Sequence, residues 1–245
     1  MLHCAICAAD TVPPTSRETG DTFVASVGDV CMVHASISTP VELIFQATQA
    51  IQEDPDALAR SQLALETIRG REIGKLRPCI LARQGIPEAR PTEVYLMGTL
   101  EGRSMDDDSV AVVLREFAKP IFPNLGPPGS RHYHTTPPWP HEYQWLIGYP
   151  VEFDDIQALA TPWRFKPRGR YPPDPPGTTY AMDVDSVDSL NDHCLNTFIA
   201  WELRCKNEAG FLQKCELQWR VRVVSRLVIL VFLAQHYQCR TRRRV

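Results

Sequence analysis

The chain has 245 residues, 44% hydrophobic and 22% charged, with a formal net charge of −3. That is enough chain for one large domain or two small ones with a real core. The charge excludes attraction of the whole molecule to nucleic acid or acidic membranes, while leaving room for a local basic patch.

Prolines number 21 and glycines 13, which predicts long irregular connections rather than tight glycine turns. No window reaches the roughly 20 apolar residues of a membrane span; the nearest, Leu227 to Ala234, is far too short. Met1-Leu2-His3-Cys4 lacks the charged-then-apolar pattern of a secretory signal. The eight cysteines therefore read as reduced thiols of an intracellular protein, cytoplasmic or nuclear.

In chain order, residues 1–22 read as an arm, with Cys4-x-x-Cys7 and then Pro13-Pro14. A first strand is expected within Phe23 to Val33. Ser38-Thr39-Pro40 opens a helix over Val41 to Ile51, whose Val41, Ile44, Phe45 and Ile51 fall at helical spacing. Asp54-Pro55-Asp56 starts a second helix, running to about Ile68 and stopped at Gly70. These helices form an insertion, residues 38–70, between the first two strands.

Pro78 to Ala82 and Thr92 to Leu100 are the next strands, joined by Gly85, Pro87 and Pro91. Val110 to Leu114 and Pro120 to Phe122 are further strand candidates, Asn124 to Pro140 is loop, and Tyr143 to Phe153 alternates as a closing strand. Residues 161–178 are a Pro-rich linker carrying Arg164, Lys166, Arg168 and Arg170. Asp185 or Ser186 then caps a helix from Val187 to about Asn207. Beyond it, residues 208–245 read as a C-terminal extension that is either a further element or an ill-ordered tail; its Arg222, Arg226 and terminal arginine cluster suit contact with RNA or a membrane surface, or are a bare extension.

Three short runs carry the strongest pattern: Gly28-Asp29-Val30, Lys75-Leu76-Arg77-Pro78 leading into Cys79-Ile80-Leu81-Ala82, and Val94 to Thr99. An arginine at a strand mouth presents a fork of donors suited to phosphate. The three runs together resemble the MazF/PemK family of toxin endoribonucleases, over about a third of the chain. The resemblance implies an SH3-like barrel, often a dimer, and metal-independent RNA cleavage with the substrate's own 2′-hydroxyl as nucleophile. Under it, Arg77 stabilises the charged phosphorane and Thr99 places the scissile phosphate; Lys75 and Arg83 add attraction to the RNA backbone. The chain departs from the family pattern at Met97-Gly98-Thr99, where a Pro-hydrophobic-Thr ending is usual, and in the inserted helical segment 38–70 between its first two strands. The plainer reading of Arg77 is a surface arginine paired with Glu72 or Glu93.

Other constellations compete for attention. Cys4, Cys7, Cys31 and His34 have the composition of a zinc site, yet Cys31 and His34 at odd separation on a strand face opposite sides. Arg131-His132-Tyr133-His134, with Trp139, His141, Tyr143 and Trp145, suits a metal, stacked bases or a packed loop. Asp106-Asp107-Asp108 reads as a solvated turn. Nucleotide-binding, serine-hydrolase and zinc-protease motifs are absent from the sequence.

The expectation is an α+β fold: a small SH3-like β-barrel over residues 23–207 with inserted helices and a C-terminal helix. Its expected partner is RNA, with no cofactor and no metal. The competing expectation is a non-catalytic scaffold or protein-interaction module that contacts a protein partner through segment 132–145; a homodimer is the further partner expectation.

Overall fold

A computed structural model describes residues 23–69, 75–86, 91–154, 161–164 and 178–222. Cys4, Cys7, most of the basic linker and residues 223–245 lie outside them. The fold is mixed α+β, with six strands in one antiparallel sheet. The strands are β1 (Val30–His34), β2 (Leu76–Arg83), β3 (Thr92–Gly98), β4 (Ala118–Pro120), β5 (Trp145–Ile147) and β6 (Val151–Phe153). Their order is β1-β2-β3-β5-β4, with β6 also on β3. The expected closing strand is thus β5 and β6 together: β5 pairs Met97 with Leu146, β6 pairs Val94 with Val151, and the register slips between them across Gly148, Tyr149 and Pro150.

The sheet is open, because its edges β1 and β4 do not pair with each other. Irregular chain covers both edges. Isolated bridges join Ile121 to Tyr133, Thr136 to Ala181, and Ala181 to Asp29. Gly28 fixes one of these crossings. Its φ is +93°, and a Cβ there would lie 2.1 Å from the Met182 carbonyl oxygen, so only glycine fits.

Alternation along the strands splits the core in two. Cys31, Val33, Cys79, Leu81, Val94 and Leu96 point to one face; Val30, Ile80, Ala82, Tyr95 and Met97 point to the other. Both faces are buried, which is why these strands read as nearly unbroken apolar runs. The first face is covered by the inserted helices, α1 (Thr39–Ala47), α2 (Gln49–Gln52) and α3 (Pro55–Arg69), and by the short α4 (Val112–Phe117). The second is covered by loop aromatics Tyr133, Trp139, Trp163 and Tyr180. The long helix α5 (Val184–Asn207) serves both, giving Val187, Leu190 and Cys194 to the second and Trp201 to the first.

Several elements differ from expectation for identifiable reasons. The single helix expected over Val41 to Ile51 is two, because Thr48 is extended (ψ 124°). The Thr48 hydroxyl donates to the Ile44 carbonyl at 2.8 Å and accepts from the Trp201 indole at 3.0 Å, which holds the break. Val110 to Leu114 is not a strand. It leads into α4, whose Val113, Leu114 and Phe117 bury one helical face. The cap of α5 is Asp183, two residues before the expected range, with its carboxylate accepting from the Ser186 N–H at 2.8 Å.

Residues 211–222, within the expected extension, form a helix, α6, that buries Phe211, Leu212, Cys215 and Trp219 in the first core. Among the described residues no helix is long and apolar enough to cross a membrane.

Candidate functional site

Arg77 sits at the mouth of β2, opposite Val33 of β1. The register that pairs Cys79 with Leu96 and Ile80 with Tyr95, carried two residues further, brings Arg77 beside Gly98. A Cβ at Gly98 would come within 3.2 Å of Ile37 and 3.8 Å of an Arg77 terminal nitrogen, so the bare backbone there lets the guanidinium and Ile37 close in. Arg77 is half-buried, and its Nε donates to the Ala35 carbonyl at 2.9 Å, which sets the plane of the fork.

Thr99 follows β3 and is exposed. The next three residues turn sharply, with φ of 47° at Leu100, 64° at Glu101 and 75° at Gly102. Two successive non-glycine residues in the left-handed region cost roughly 1–2 kcal/mol each. The turn is held by Gly102 N–H donating to the Thr99 carbonyl at 2.8 Å, and by the Arg103–Glu101 ion pair at 3.0 Å. Arg103 also donates to the Ser109 hydroxyl at 2.9 Å.

These residues meet in one cavity of about 140 Å³. Its lining includes Lys75, Arg77, Thr99, Glu101, Arg103 and, from α6, Trp219 and Arg222. Four cations thus face one carboxylate among the lining residues. The floor is apolar, built by Ile37, Leu100, Val110 and Leu114. Low-polarity walls weaken solvent screening and strengthen the pull on an anion. Such a cavity suits a phosphate diester, with the guanidinium fork for its oxygens and the hydroxyl of Thr99 as a further donor.

Three of the four expected site residues, Lys75, Arg77 and Thr99, are therefore brought together. Arg83 is not. It lies at the other end of β2, about 20 Å along the strand from Arg77 at the usual rise per residue, and it is ion-paired to Glu93 at 2.7 Å. Arg103 and Glu101 were missed by sequence reasoning, and Arg222 was noted only as a basic residue of the C-terminal extension, unconnected to the Arg77 strand mouth. Arg103 and Glu101 lie on a turn without a motif, and Arg222 reaches the pocket from a helix 145 residues after Arg77 in sequence. The one available signal was the basic character of the chain beyond Trp219.

The other constellations take structural places. Cys31 is fully buried and His34 exposed, on opposite faces of β1. Burial pushes the Cys31 thiol up to about 12, so it is protonated at neutral pH. Tyr133, Trp139 and Trp145 are buried, and Trp139 packs on Trp163 with centroids 4.1 Å apart. Segment 132–145 thus spends most of its aromatic surface on the core, leaving Tyr143 exposed.

His132 and His134 pack on each other and on Phe122, and burial holds both below the usual histidine range. Asp107 accepts from the Ser109 N–H, and Asp108 pairs with Arg115 at 3.3 Å. Among the described residues no three metal-ligating side chains gather in one place. No family model matches the chain, and no curated protein and no solved structure does either.

Proposed function

We propose that this pocket binds the phosphodiester backbone of single-stranded RNA and cleaves it without a metal ion, as the MazF/PemK family does. The observation that carries the reading is charge. A chain of net charge −3 gathers Lys75, Arg77, Arg103 and Arg222 around one cavity, at the strand mouth where the family-like residues fall. The SH3-like barrel belongs to the same proposal. Its support is the run of isolated bridges linking β4 through Tyr133, Thr136 and Ala181 to Asp29 beside β1.

In this mechanism the 2′-oxygen of the RNA attacks the adjacent phosphorus and the bond to the 5′-oxygen breaks. The products carry a 2′,3′-cyclic phosphate and a free 5′-hydroxyl. Arg77 offsets the charge growing on the non-bridging oxygens. Its bond to Ala35 orients the fork beforehand, so little ordering is left for the reaction. Thr99 donates to a phosphate oxygen, and Lys75 and Arg222 neutralise neighbouring phosphates. Glu101 receives the 2′-hydroxyl proton, and water protonates the departing 5′-oxygen.

The test is cleavage of a long single-stranded RNA by folded protein in excess chelator, with Arg77→Ala alongside. Cyclic-phosphate ends from the wild type, and a loss of about a hundredfold or more in the variant, are expected. Intact RNA in both reactions would sink the nuclease and leave the non-catalytic interaction module.

A further inference from the structure

Helix α5 leaves one face uncovered. Leu195, Ile199 and Leu203 are 58%, 48% and 54% exposed, while Val187, Leu190, Cys194 and Trp201 of the same helix are buried. A single exposed leucine is ordinary, but three at four-residue steps make a continuous ridge. Three residues before the ridge is Asp192 and three after it is Lys206, both exposed. The face therefore runs Asp192, Leu195, Ile199, Leu203, Lys206, about 21 Å long at the helical rise. Its steps of three, four, four and three residues are the same in either direction.

We propose that this face is a homodimer seam, in which two copies of α5 pack antiparallel about a two-fold axis through Ile199. A two-fold interface must be its own complement. This face is: Leu195 meets Leu203 of the second copy, and Asp192 meets its Lys206, at both ends of the seam. A parallel pairing sets Asp192 beside Asp192 and Lys206 beside Lys206, so like charges oppose it. An anionic lipid surface would be repelled by the Asp192 end, where basic residues are needed. No residue of α5 lines the cationic pocket, so the seam leaves that pocket open and stands independently of the reaction.

The test is sedimentation equilibrium of the full chain between roughly 1 and 200 µM, which spans micromolar to sub-millimolar association. A reversible dimer is expected. Asp192→Lys alone and Lys206→Asp alone should each weaken it about tenfold or more, since symmetry repeats the contact, and the double variant should return within about threefold of wild type. Ile199→Asp should abolish the dimer while leaving the monomer folded with only a modest fall in melting temperature, because the side chain is 48% exposed there. A monomer at every concentration would overturn the proposal and assign the ridge to another occupant, such as the chain's own residues 223–245. So would a dimer indifferent to Ile199→Asp and to the charge exchange.

Discussion

The pocket depends on how single residues are held. Arg77 is fixed at Nε by a backbone carbonyl, and Thr99 is fixed by the turn that follows it. The left-handed Leu100 and Glu101 show that this turn is kept at a conformational cost, a pattern that clusters at functional sites. A different residue contributes to the response to acid. His193 is partly buried, its Nδ1 is 2.8 Å from the Tyr133 hydroxyl, and burial, Lys119 and Arg131 push it down to about 4 from 6.5. Between those values the unfolded chain binds a proton that the folded chain does not. Its contribution is complete above pH 6.5 and is lost as pH falls toward about 4. His132, His134 and His141 are lowered in the same direction by burial. The urea midpoint is therefore expected to drop across this window, and His193→Gln to flatten the drop. An unchanged pH profile in the variant would count against the role of His193.

At the scale of elements, the legible parts were those whose local chemistry and tertiary packing agree. Asp54 caps α3 with its carboxylate accepting from Asp56 and Ala57, as its place before Pro55 indicated. The Val-rich stretch at 110–114 misled because β-branched composition marks a pleated, half-buried surface only when a partner strand exists. Here the neighbours are Phe198 and Trp201 of α5, and Phe117 packs against both rings as part of a helix.

The role of α6 was not legible either, since its anchor lies far away in sequence. Glu42 of α1 is fully buried, and one of its carboxylate oxygens accepts from the Trp219 indole and from Arg220, each at 2.6 Å. That clamp also positions Trp219 and Arg222 in the pocket wall. Glu42→Ala leaves the buried Trp219 indole N–H unpaired and leaves Arg220 with only Glu216, at 3.6 Å, and is expected to cost about 2 kcal/mol or more. Urea unfolding checks this, and a change under about 1 kcal/mol would show the clamp to be of little consequence.

For the whole molecule, the central feature is segregation of charge. The net charge is −3, yet four cations meet at one end of the sheet. Part of this was readable: Arg77 and Thr99 close neighbouring strands, and antiparallel pairing brings such ends together. The rest was not, because a turn and a distant helix complete the pocket. The open sheet was also beyond the sequence, since strand propensity does not say whether edge strands pair or are covered by irregular chain.

The most direct test is the salt dependence of binding to a single-stranded RNA made uncleavable by 2′-O-methylation, for wild type, Arg77→Ala and Arg83→Ala. Binding through the pocket predicts a steep fall in affinity with salt, a slope smaller by about 0.7 for Arg77→Ala, and little change for Arg83→Ala, whose charge is paired to Glu93. Equal effects of the two substitutions, or binding indifferent to salt, would contradict the pocket as the place where phosphates are held.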